Sequence, residues 1–192
     1  VLAADPDDWV RYLDLRREQG FSAVQCVLTN WRAFPADAAG ERAWTGERDI
    51  KVNPAFFRRL DKKVAAIAEV GFAPALVVLW TLTPWDPGLR LGDDDAIRLG
   101  RYITARYAAF RPVWFLGGDG RYLVEGAAER WKRIGRAVLG AAPRGERPLA
   151  TLHPCGKSWL GDEFRGEAWY DFVGYQSSHG PDCNDWIVQG PP

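Results

Sequence analysis

The sequence predicts an α/β protein, a partial (β/α)8 TIM barrel of about strands 2 to 6 with their helices. Three observations carry that expectation. Short apolar segments alternate with amphipathic helical ones, which is the pattern of parallel βαβ units. Long loops follow the apolar segments and short ones precede them, as on the functional rim of a barrel. No apolar segment runs into a GxGxxG turn, which argues against the doubly wound sheet that shares this alternation. A complete barrel takes roughly 250 residues. The 192 residues here supply about five of eight strands, so the expectation is a single, truncated catalytic domain over 1–192 with exposed sheet edges.

Each element has a local reason. Asp5-Pro6 is an N-cap followed by proline at the first helical position. Trp9, Leu13 and Arg16-Arg17 carry that helix to Gly20, a C-cap. Residues 21–28 read as a strand, and a long charged loop with Trp31, Phe34 and Trp44 runs from about 29 to 52. Asn53-Pro54 repeats the cap signal, with Phe57, Leu60, Val64, Ile67 and Ala68 on one helical face before Gly71. Residues 72–80 are a continuously apolar strand, followed by a second long loop with Pro84, Trp85 and Pro87. Asp93-Asp94-Asp95 opens a helix with acids at its positive end, carried by Ile97, Tyr102, Ile103 and Tyr107 to Phe110. A strand over 113–116 is expected to break at Gly117-Gly118, before Asp119 and Gly120. A helix follows over 127–139, a strand over 149–152 ending in His153-Pro154, and a fifth strand over 171–176.

Composition removes several function classes. The formal net charge is zero and the basic residues are spread along the chain, so there is neither a nucleic-acid stripe nor a polybasic membrane anchor. The longest apolar runs are too short to cross a bilayer, and no signal peptide is visible. The chain begins at Val1 and contains no Met, so a processed chain or a fragment is expected. Cys26, Cys155 and Cys183 form no CxxC pair and leave an odd count, which argues against a disulfide framework. With no HExxH, zinc-knuckle spacing or phosphate loop, no cofactor or metal is expected. Ten tryptophans exceed ordinary core needs and suit stacking on sugar rings.

The chemistry collects where strands meet the loops after them: Thr29, Asn30 and Trp31; Trp80; Asp119; His153; Gln176 and His179. On a barrel these ends converge on one pocket. Asp119 is either a catalytic carboxylate or a turn aspartate capping the next helix. Glycoside hydrolysis needs two carboxyl groups flanking the scissile bond, polar groups for sugar hydroxyls and aromatic faces for the ring. Asp119 then supplies one carboxyl group, Asn30, His153, Gln176 and His179 bind hydroxyls, and Trp31 and Trp80 stack. Each has a plainer alternative. His179, before Gly180-Pro181, reads equally as a loop residue, and Trp80 as a plug of the barrel top. Trp44 and Trp85 either line a groove or fold back as anchors, whereas Trp9 and Trp131 sit on apolar helical faces and belong to the core. Two other functions stay open: a non-catalytic carbohydrate-binding barrel, and a metal-dependent hydrolase using Asp119, His153 and His179.

Several segments resemble the apiosidase-like glycoside hydrolases, nearly end to end. They are Tyr12-Leu13-Asp14-Leu15-Arg16 through Gly20-Phe21 and Val24-Gln25, then Asn53-Pro54-Ala55-Phe56-Phe57 with Leu60-Asp61, and Trp114 through Asp119. Thr151-Leu152-His153-Pro154 and Tyr175-Gln176-Ser177-Ser178-His179 complete the set. The resemblance implies a (β/α)8 barrel of the large retaining-glycosidase clan that acts on plant cell-wall or pectic glycans. It implies that Asp119 is the general acid/base and that the nucleophile is a Glu ending the seventh strand. Counted against the family, this chain runs from the first helix to just past the sixth strand, so that Glu is expected beyond it. Glu163 and Glu167, between the fifth and sixth strands, are not assigned to the role. The isolated chain is therefore expected to be inactive. Secretion or a periplasmic location suits a polysaccharide hydrolase, but the sequence carries no address.

Overall fold

The computed structural model describes residues 1–140, 145, 147–177, 179 and 188. In chain order the elements are α1 (Pro6–Glu18), β1 (Ala23–Val27), β2 (Trp44–Thr45), β3 (Lys51–Val52), α2 (Pro54–Glu69), β4 (Ala73–Trp80), α3 (Pro87–Arg90) and α4 (Asp93–Tyr107). A 3₁₀ turn (Ala108–Phe110), β5 (Val113–Gly120), α5 (Ala127–Leu139), β6 (Ala150–Pro154) and α6 (Gly161–Phe164) follow. The cap signals place the helix starts. The Asp5 carboxylate accepts the Asp7 N–H, and the Asn53 side-chain oxygen accepts from Ala55 and Phe56. Each helix then buries its apolar stripe: Trp9 and Leu13 on α1; Phe56, Phe57, Leu60, Val64 and Ile67 on α2; Trp131 and Ile134 on α5.

β1, β4, β5 and β6 form one parallel sheet in that order, while β2 and β3 pair as a small antiparallel ribbon inside the first long loop. The order is the sequential one and never doubles back. Parallel crossovers are right-handed, so a sheet wound always in one direction puts its helices on one face. α1 packs on α2 and α4 on α5 accordingly. Burial alternates on β1, where Val24 and Cys26 are buried and Gln25 between them is exposed. β4 is buried from Pro74 to Leu79.

Two expectations are corrected. The glycines do not end the third strand: β5 runs on through Gly117, Gly118, Asp119 and Gly120. Residues 171–176 do not form a fifth strand, so the described sheet has four. That segment lies beside β6 but is held differently. The Asp171 N–H donates to the Ala150 carbonyl (2.8 Å), and the Thr151 hydroxyl donates to the Phe172 carbonyl (2.6 Å) while accepting the Gly174 N–H (3.2 Å). A side chain thus takes bonds that a neighbouring backbone would make, and the ladder is not propagated. Gly174 comes so close to the Leu152 carbonyl that a Cβ there would overlap it. Cys26 and Cys155 are free thiols; Cys183 and Ser178 lie outside the described residues.

Candidate active site

The carboxyl ends of the four parallel strands share one rim, and β5 carries the unusual backbone. Gly118 is in register with His153, and Gly120 with Pro154, so two steps on β5 match one on β6. Asp119 is the extra residue, a β-bulge of the kind that re-aims a side chain. Its φ is +55°, in the left-handed region that Asp tolerates better than most residues. The flanking glycines make room. A Cβ at Gly118 would overlap the Trp80 ring, one at Gly120 the Tyr122 ring, and one at Gly117 would lie 2.5 Å from the Tyr122 hydroxyl. Tyr122 is fully buried behind the bulge. Burial, and then the nearby Asp119 carboxylate, push its hydroxyl well above the ordinary phenol range, so it stays neutral.

Beside the bulge runs a file of rings. Trp31 meets Trp80 at 4.9 Å between centroids, Trp80 meets His153 edge-on at 5.9 Å, and Phe115 meets His153 edge-on at 6.3 Å. The cleft here has a volume of about 470 Å³, with Gln25, Val27, Trp31, Val77, Trp80 and His153 among its walls. Asp119 is not in the wall; it stands next along β5 from Gly118, which abuts Trp80.

His153 is held at both ring nitrogens. Nε2 lies 2.7 Å from the Gln176 side-chain oxygen, and Nδ1 lies 3.4 Å from the Gln25 amide nitrogen. An amide oxygen only accepts and an amide nitrogen only donates, so this arrangement assigns the proton to Nε2. Gln25 is the residue that motif reading missed. Its signal was available, because it is the one polar position in the alternating 24–26 segment and its parity places it on the face without helices. The Asn30 side-chain oxygen accepts the Ala43 N–H (3.0 Å), which folds the first long loop over the rim. His179 is exposed.

The other carboxylates nearby are engaged. Glu167 takes both ends of the Arg136 guanidinium (2.8 and 2.6 Å), and Glu163 takes the Lys132 ammonium (2.5 Å). Asp86 is fully buried and accepts from Thr83 and from the Arg32 N–H. Among the described residues the Asp119 side chain takes no hydrogen bond or ion pair. No group of three or more His, Cys, Asp or Glu among the described residues is placed to hold a metal ion, so Asp119, His153 and His179 are not gathered as ligands.

Solved structures share this architecture. A family 5 glycoside hydrolase from Bacteroides vulgatus ATCC 8482 superposes with a TM-score of 0.76 at 23% identity, covering 92% of this chain and 38% of its own. Another, described as a glycoside hydrolase, gives 0.74 at 22%, covering 92% and 39%. Thermotoga maritima Cel5A in complex with cellobiose substrate gives 0.52 at 14%, covering 95% and 66%. The chain thus spans about two fifths of the first two, and its sheet is part of a (β/α)8 barrel. No curated protein matches the sequence. The apiosidase-like catalytic domain matches residues 1–189, and the chain belongs to that family.

Proposed function

We propose that the protein is a retaining glycosidase acting on plant cell-wall or pectic glycans, with Asp119 as its general acid/base. The observation that carries this reading is the setting of Asp119. It is an extra residue at a strand end, held at φ +55° beside an aromatic cleft, and it lacks the partners that occupy Asp86, Glu163 and Glu167. In the reaction Asp119 protonates the leaving-group oxygen while a second carboxylate attacks the anomeric carbon; its conjugate base then takes a proton from the incoming water. The attacking carboxylate is a Glu supplied from outside these 192 residues, about 5–5.5 Å from Asp119 as retention requires. Trp31 and Trp80 carry the apolar face of the sugar, and Asn30, Gln176 and His179 bind its hydroxyls. His153, clamped by Gln25 and Gln176, holds the Trp80 ring in place.

The test is Asp119→Asn in the parent polypeptide. Hydrolysis of a pectic polysaccharide should fall roughly 10²- to 10⁴-fold while the polysaccharide still binds. Unchanged hydrolysis would overturn the assignment, and a protein that binds without ever hydrolysing is a carbohydrate-binding barrel. The 192 residues alone should show no turnover.

A further inference from the structure

Trp85 occupies the loop between β4 and α3, on the same rim as Asp119, and is 72% exposed. The loop beneath it is fixed from several sides. The buried Asp86 accepts from the Thr83 N–H (2.6 Å) and hydroxyl (2.9 Å), and from the Arg32 N–H (2.9 Å) in the loop after β1. Gly88 packs so tightly that a Cβ there would lie 2.6 Å from the Thr81 Cβ, just past β4. From α5, Arg130 donates to the carbonyls of Gly88 (2.6 Å) and Leu91 (2.9 Å). These contacts fix the loop around Trp85 and leave the indole in water. Among the described residues Trp85 stacks on no other ring, and Leu89, one helical turn on, is also half exposed.

A rigid loop that presents its largest apolar side chain to solvent has already met the ordering cost that binding would otherwise impose. The Arg32 contact also seats this loop beside the one bearing Trp31 and Phe34, whose backbones bridge each other and whose rings meet at 6.0 Å. The aromatic file from His153 through Trp80 and Trp31 to Phe34 ends in the loop that Asp86 ties to the one bearing Trp85. A pyranose or furanose ring has an apolar C–H face, which an exposed indole matches.

We propose that Trp85 is a binding platform for a sugar unit remote from the bond that is cleaved, so that an extended glycan is bound more tightly than a single-sugar glycoside. The inference rests on the glycosidase reading above. Trp85→Ala removes an exposed side chain and should leave thermal stability within about 0.5 kcal/mol. In the parent polypeptide it should raise KM for a pectic polysaccharide about fivefold or more with kcat unchanged, the mark of lost uniform binding. KM for a small aryl glycoside should not move, and Trp85→Phe should recover most of the affinity. An unchanged KM for the polysaccharide overturns the inference, as does an equal loss on both substrates. If Asp119→Asn abolishes hydrolysis and Trp85→Ala changes nothing, only the platform fails. If Asp119→Asn hydrolyses normally, the glycosidase reading beneath it fails.

Discussion

At Gly118 the chain gives up a side chain so that the Trp80 ring can lie against the backbone, and the rest of the rim geometry follows. Trp80 placed there meets Trp31 on one side and His153 on the other. Gly118→Ala forces a methyl group into that ring, an overpacking that should cost about 1–3 kcal/mol. The expected result is a lowered Tm together with weakened sugar binding, read by thermal unfolding and by titration with a pectic oligosaccharide. The neighbouring Asp119→Asn should leave Tm nearly unchanged, because Asn accepts a left-handed backbone as readily as Asp. The glycines announced that something unusual happens near Asp119. They did not reveal their purpose, since sequence shows a missing side chain but not the ring that takes its space.

Among the elements, the segment after β6 is anchored by a buried ion pair. Arg147 and Asp171 are 7% and 4% exposed, and the guanidinium engages both carboxylate oxygens (2.6 and 3.1 Å). The same carboxylate accepts the Ala150 N–H (2.8 Å) at the start of β6. Arg147→Ala breaks this buried pair, so a loss of about 3–5 kcal/mol is expected. Denaturant unfolding measures it directly. The apolar run at 171–176 looked like a strand from its composition, and the segment does follow β6. It is not a ladder member because the Thr151 hydroxyl intercepts its backbone groups, a choice made by a residue some twenty positions away.

At the scale of the whole molecule, the first long loop is tied to α2 by charge. Arg59 binds both Asp37 (2.7 Å) and Glu41 (2.9 Å). Burial opposes ionisation of Asp37, but the backbone N–H of Glu41, the Arg59 guanidinium and the Ala39 N–H outweigh it and hold its carboxyl below the usual range. Hydrogen bonds from Arg59 and Asn53 lower Glu41 as well. A carboxyl that is more acidic when folded stabilises the fold above its unfolded pKa, about 4. That contribution is lost as pH falls through the folded value, where the unfolded chain binds more protons. Tm should therefore decline below about pH 4, and Asp37→Asn should lower Tm at neutral pH and flatten that decline. A pH series of thermal melts checks both.

The sequence by itself determined the helices, through caps and apolar stripes that act within a few residues. It also determined the first four apolar strands and, through its ordered segments, the family. The tertiary structure decided the direction of winding, because strand order is a matter of which distant segments pair. It placed Asp119 on a bulge, clamped His153 between Gln25 and Gln176, and folded Trp44 inward while leaving Trp85 in water. Each of these depends on contacts between residues far apart in the chain, and local sequence carries no record of which partner wins.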